Sequence, residues 1–215
     1  MGETKEMDAG RSYPAIGDYA IIGDCRSAAL IEFVRRGGRL DRTTSRMLGA
    51  LGKTVCRRWS EPDEGIWEAR SGRRHHTYSK AMCWVALDRL LRLHAQGLLD
   101  VPVHAFTRER DAIRTEIEAR GYNEHLGSYV SVLDGEDVDA SLLLLARYGY
   151  AEPASPRMRA TCESIRHRLG ANGLLYRYRG TDDGTLDTDR QPRIRWLPYD
   201  WRLNSSQNRE GGPKP

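Results

Sequence analysis

The chain has 215 residues, enough for one ordinary domain with a sizeable core. Its 34 Lys and Arg stand against 30 Asp and Glu, a net charge of +4, and acidic residues interrupt almost every basic run. A nucleic-acid binder would present a one-sided basic face, so this balance argues against nucleic acid as a partner, and no stretch approaches the length of a membrane span.

Residues Met1 to Ser12 are polar and lack the apolar run of a secretion signal. They read as a disordered lead-in to a cytoplasmic protein. The cysteines Cys25, Cys56, Cys83 and Cys162 are widely spaced with no C-x-x-C, so no zinc or other metal site is expected. Cys56, Cys83 and Cys162 fall on apolar helix faces and read as small core residues in a reducing compartment.

In chain order, Ile16 to Asp24 alternates short apolar pieces with Gly-Asp pairs, which predicts an extended segment with turns. From Ser27 the pattern changes to a helix through Ala28, Leu30, Ile31 and Val34, ending at Gly37-Gly38. A strand running straight into a helix is unusual. The next helix is expected over 44–59, with Met47, Leu48, Leu51, Val55 and Trp59 on one stripe and Arg46, Lys53 and Arg57 opposite. The spacing predicts a second helix over 79–95 that is apolar nearly all round, and hence buried, including Trp84, Leu87 and Leu91. Lys80, Asp88 and Arg92 share one line on it, with Asp88 and Arg92 placed to pair.

A thin apolar stripe (Ala112, Ile113, Ile117) marks a peripheral helix over 107–120, capped by Thr107 and ended by Gly121. Tyr122 to Leu133 reads as a short hairpin or an extended loop, with a turn near Gly127. A buried helix is expected over 138–148, carrying Leu142 to Leu145. A peripheral one follows over 156–169, opened by Ser155-Pro156 and striped by Met158, Cys162, Ile165 and Leu169. Leu174, Tyr176 and Tyr178 alternate in a brief extended piece. Residues 186–215 show no period and should lack packed structure. This alternation of buried and peripheral helices is what an α/α toroid requires, and an irregular helical bundle is the alternative.

Between the first two of these helices lies Ser60-Glu61-Pro62-Asp63-Glu64-Gly65-Ile66-Trp67-Glu68-Ala69-Arg70. Loops between packed elements carry most binding and catalytic groups. Sugars stack their C–H faces on aromatic rings, and a carboxyl group against an apolar ring has a raised pKa that suits a general acid. Composition alone also allows a plainer reading, an exposed acidic loop whose Trp fills the core.

The stretches Pro62 to Arg70, Arg74 to Arg89, Asp139 to Leu145 and Gly173 to Tyr178 resemble the bacterial family 15 glycoside hydrolases, a group of glucoamylase-like, glucodextranase-like and trehalase-like enzymes. Ile16 to Leu30 resembles the opening of the β-sandwich domain that precedes the barrel in that family. The resemblance implies a mainly α fold, a partial (α/α)6 toroid of alternating inner and outer helices with a short sandwich remnant. It implies inverting hydrolysis of α-linked glucosides such as trehalose or malto- and isomalto-oligosaccharides, with no cofactor. Two carboxyl groups roughly 6.5–9.5 Å apart would share the work, one as acid and one activating water. By the match at Gly65-Ile66-Trp67-Glu68, Glu68 corresponds to the general acid. Trp67 would shape the glucose pocket and keep Glu68 protonated, and Arg177 and Asp139 match positions at or near that pocket. His76 departs from the family, which usually has an aromatic residue there.

The family's general base belongs to a late Glu-x-Tyr-Asp and Gly-Asn-Phe-Pro-Gln-Ala motif that this sequence does not contain. The chain leaves the family pattern after about Gly184, and Ala28 to Ile31 joins almost directly to Glu32 to Gly38, as though by internal deletion. The expected organisation is a lead-in with a sandwich remnant at 1–31, a partial glycosidase-like domain at 32–184 and an aberrant tail at 185–215. Two readings follow. One is a hydrolase-like chain that lacks its base and is inactive; the other is a non-enzymatic helical protein that binds a sugar or a partner. An incomplete ring is also expected to self-associate through exposed apolar helix faces.

Overall fold

The computed structural model describes residues 21–22, 29–30, 40–67, 72–171 and 174–178. The expectations for residues 1–12, for the stop at Gly37-Gly38 and for the tail over 186–215 lie outside the described residues.

Ile21–Ile22 (β1) pairs antiparallel with Ala29–Leu30 (β2). Ala29 and Leu30, expected to open a helix, instead form a strand. The β-branched pair Ile21 and Ile22 offers them a partner, and cross-strand pairing overrides local helical pattern.

Helix α1 spans Arg42–Arg58 and is capped by Asp41, whose Oδ1 accepts from the Thr44 amide at 2.7 Å. It buries Leu48, Gly52 and Val55 and turns Arg46, Lys53 and Arg57 to water. Met47, expected in the stripe, is 46% exposed. A Cβ on Gly52 would stand 2.5 Å from Phe106 and 2.7 Å from Leu90, so the close approach of backbone fixes the contact line on 48–52–55 and leaves Met47 on its flank.

Helix α2, Thr77–Ala95, is the centre of the fold. It buries Trp84, Val85, Ala86, Leu87, Leu90 and Leu93, and packs against α1 and against helix α3, Val103–Arg120. Asp88 and Arg92 pair at 2.8 Å as expected. Leu91 is half-buried and not buried, because it stands next to Arg92, whose side chain is 63% exposed. Helix α3 buries only Phe106, Ile113 and Ile117, so it is the more peripheral of the two. It begins four residues before Thr107, which therefore does not cap it. Pro102, with its restricted backbone, precedes the first helical residue and accepts from the Phe106 amide at 3.0 Å.

A hairpin follows, Tyr122–Asn123 (β3) against Ser128–Tyr129 (β4), turning at Gly127 with φ +58°. Glu118 of α3 ties it down, accepting from the Tyr129 hydroxyl at 3.1 Å, the Tyr150 hydroxyl at 2.7 Å and Arg157 at 2.9 Å.

The helix expected over 138–148 is instead a 3-10 turn, Ala140–Leu143, running into a single-turn helix α4, Leu144–Arg147. Leu142 and Leu145 are buried, while Leu143 and Leu144 are half-buried. The tighter turn stacks side chains three apart on one line, so two leucines face the core and two fall beside it. Helix α5, Pro156–Leu169, starts as the sequence indicates, with Ser155 as cap and proline at its first position. Its buried stripe is Met158, Thr161, Ile165 and Leu169. Cys162 is exposed and is no core residue, and Cys56 and Cys83 are only half-buried. Thr161 faces inward because its hydroxyl accepts from the Tyr129 amide at 3.0 Å and donates to the Arg157 carbonyl at 2.8 Å. A last pair joins Gly170–Ala171 (β5) to Leu174–Leu175 (β6), where residues 174–178 are all half-buried and show no alternation of burial.

The chain is thus mainly α. The buried α2 and the 140–147 segment lie inside, and α1, α3 and α5 outside, as part of an (α/α) toroid. Among the described residues no helix is long and apolar enough to cross a membrane.

Candidate functional site

The loop after α1 is fastened at its base. Asp63 and Arg74 exchange both backbone hydrogen bonds, at 2.9 and 2.8 Å. The Asp63 Oδ1 accepts from the Gly65 amide at 2.6 Å and from the Ser79 hydroxyl at 2.7 Å, locking the loop to the first turn of α2. Gly65 takes φ +65°, a conformation that favours glycine. Lys80, 2% exposed, donates to the carbonyls of Trp59 and Glu61, so it satisfies the frayed end of α1 from inside the core. Burial pushes its amine below the ordinary lysine value.

Backbone contacts then bring distant segments to this end of α2. The Thr77 amide donates to Ser131 at 2.9 Å, and the Leu133 amide donates to the His75 carbonyl at 2.9 Å. The Ala140 amide donates to the Arg177 carbonyl at 2.8 Å. Residues 75–77, 131–133, 139–140 and 177 therefore meet around the loop.

Of the residues that the resemblance singles out, Trp67 and Arg177 stand together, the guanidinium carbon 5.3 Å from the indole centre. Asp139 lies beside the Arg177 backbone. Its Oδ1 accepts from the amide of Ser141, at 2.8 Å, and from the Ser141 hydroxyl, so it caps the 140–143 turn. Burial raises its carboxyl above the ordinary aspartate value, outweighing those hydrogen bonds. Glu68 lies outside the described residues. Three buried nitrogens here have no hydrogen-bond partner: Trp67 Nε1, Arg177 Nε and His75 Nδ1. Buried polar groups are nearly always paired, so these three, with the equally unpaired Thr77 Oγ1, single out this end of α2.

A cavity of about 350 Å³ lies elsewhere, between α1 and the connection from α2 to α3, lined by Arg42, Arg46, Lys53 and Asp100 among others. Its charged residues are exposed, and none of the unpaired buried nitrogens borders it.

Sequence reasoning did not find the roles of Asp63, His76 and Lys80. The Asp-x-Gly spacing of Asp63 and Gly65 is a turn signal that could have marked the first. Lys80, a cation in the first turn of a helix read as buried, could have marked the last. No local signal marks His76, whose contacts come from folding.

The comparisons with known proteins bear on the family and the fold. Residues 25–192 match the family described as Glycosyl hydrolases family 15. A trehalase of Mycobacterium tuberculosis is 38% identical over 132 residues, covering 60% of this chain and 19% of that protein. A trehalase of Mycolicibacterium smegmatis is 39% identical over 135 residues, covering 60% and 20%. The chain thus spans about a fifth of the length of these curated relatives. Among solved structures, a wild-type glycosidase superposes with a TM-score of 0.60 at 21% identity, over 68% of this chain and 38% of that one. A variant glycosidase in complex with glucose gives 0.59 at 22% identity over the same shares. With most of its length matched, the chain belongs to glycosyl hydrolases family 15.

Proposed function

We propose that this chain carries the acid half of an inverting α-glucosidase site, with trehalose or a related α-glucoside as the sugar. The observation that carries the reading is the set of unpaired buried nitrogens on Trp67, Arg177 and His75 at the foot of this loop. The trehalases among its relatives support the choice of sugar. In this reading Glu68 protonates the glycosidic oxygen, with Trp67 beside it excluding water and raising its pKa. Arg177 and Asp139 shape the pocket wall. No cofactor takes part.

The base that would activate water belongs to a motif that these 215 residues do not contain. General acid–base assistance contributes typically about 10²–10⁴-fold per group, so the chain alone is essentially inactive. It keeps a sugar-binding wall within a glycosidase-like unit at 32–184, flanked by the segments 1–31 and 185–215. The reading includes a cytoplasmic protein that self-associates, and Met47, Ile66, Leu98 and Val103 are exposed apolar residues that could contribute.

The test is glucose release from trehalose and maltose, with and without azide, for the chain and for Glu68→Gln. Azide needs no deprotonation, so the expected result is slight azide-dependent release that Glu68→Gln abolishes. Robust release without azide would mean that another carboxylate supplies the base and would overturn the reading.

A further inference from the structure

His76 precedes the first turn of α2, and its imidazole lies face-on against Gly65. A Cβ built on Gly65 would stand 3.0 Å from the ring carbons Cγ, Cδ2 and Cε1. A side chain at residue 65 would press on the ring, and the φ of +65° there also favours glycine. On its other side the His76 backbone bridges to Val132. The ring is therefore a fixed floor under the turn Asp63 to Gly65, two residues before Trp67 and three before Glu68.

We propose that His76 is a positioning residue for the acid-bearing loop: its neutral imidazole holds residues 63–67 against α2, and its protonation releases them. This inference rests on reading Trp67 and Glu68 as site residues.

Four charged groups act on the ring: Asp63 and Arg74 from the bridged ends of the loop, Lys80 from α2, and Asp139, the cap of the 140–143 turn. Burial is the largest influence and favours the neutral form. Asp63 and Asp139 oppose it, and Arg74 and Lys80 add to it. The net direction is below the ordinary histidine value of 6.5. A depressed value means that the folded chain takes up its proton later than the unfolded chain. The support that His76 gives is therefore complete above 6.5 and is lost as pH falls through the depressed value. Charging the ring costs part of its solvation, and burial outweighs the attraction of Asp63 and Asp139.

The experiment follows amide hydrogen exchange of residues 63–67, corrected for intrinsic rates, at about pH 5 and about pH 8, together with trehalose affinity by calorimetry. It uses the full chain, His76→Phe and His76→Ala. In the unsubstituted chain, protection should be severalfold lower at the lower pH than at the higher, about the reach of a single protonation. His76→Phe keeps a ring without a charge and should hold its protection at both pH values. His76→Ala should lose it at both. In the unsubstituted chain, the His76 ring and the Gly65 amide should also titrate together by NMR with one midpoint below 6.5, a readout that needs no variant to fold. A Gly65 signal indifferent to His76, an equal pH response in His76→Phe, or full protection in His76→Ala would each overturn the inference. If the loop responds as described and trehalose binds at neither pH, the sugar site is wrong and the His76 contact stands.

Discussion

The guanidinium of Arg177 lies 5.3 Å from the centre of the Trp67 indole, joining the segment after β6 to the loop after α1. Such cation–π contacts contribute about 0.5–2 kcal/mol, more where water is excluded. Arg177→Ala should cost about 1 kcal/mol in urea unfolding. It should also raise the rate of Trp67 oxidation by N-bromosuccinimide, mapped by mass spectrometry. Unchanged Trp67 reactivity would show that the guanidinium does not shield the ring.

Lys80 couples the end of α1 to the start of α2. Lys80→Met keeps the apolar stem and removes the ammonium, leaving the Trp59 and Glu61 carbonyls without their donor. A buried acceptor left unpaired costs about 1–3 kcal/mol. The expected outcome is a destabilisation of about that size in urea unfolding, with local loss of exchange protection around residues 59–61. A variant as stable as the parent would mean that water replaces the amine.

Two glycines on α1 should respond with opposite signs to the same substitution. Gly49→Ala adds a methyl where nothing lies within 4 Å, and should stabilise by about 0.5–1 kcal/mol through helix propensity. Gly52→Ala drives a Cβ to 2.5 Å from Phe106, and should destabilise by about 1–3 kcal/mol net, as overpacked cores do. Urea midpoints of the two variants check this directly. Equal responses would contradict the close approach of α1 to α3.

Asp139 gives a pH signature of its own. Its carboxyl is raised above the ordinary value of 3.8, so the folded chain binds that proton more tightly than the unfolded chain does. Stability should therefore fall as pH rises from 3.8 through the raised value. Asp139→Asn keeps an oxygen for the Ser141 amide and hydroxyl and stays neutral. It should match the parent in acid and exceed it near neutrality. Urea midpoints across that range decide it, and a variant less stable at neutral pH would show that the charged carboxylate is the favoured form.

Elements with a wide or clear apolar period were legible in the sequence. These were α2 with Trp84 and Leu87, the Asp88–Arg92 pair, the turn at Gly127 and the Ser155-Pro156 start of α5. What was not legible came from tertiary pairing. Ala29 and Leu30 follow a strand partner, not their own helical pattern. Leu143 and Leu144 lose their cover because the segment tightens into a 3-10 turn. Thr161 displaces Cys162 from the core because its hydroxyl meets the Tyr129 amide. At the candidate site, Trp67, Arg177 and Asp139 were singled out through resemblance, since no local period connects residues so far apart in the chain. Their adjacency becomes visible only once 139–140 and 177 are joined by a backbone hydrogen bond.

Because Asp63 and Arg74 are bonded to each other through their backbones, the two ends of the intervening segment keep one separation whatever its length. Lengthening such a closed excursion costs only about 0.6 kcal/mol per doubling, and α1 and α2 would not sense the change. The segment is in effect a cassette. An engineer could lengthen it beyond Trp67, leaving the Gly65 and Trp67 contacts in place, while Ser79 keeps its grip on Asp63 at the base.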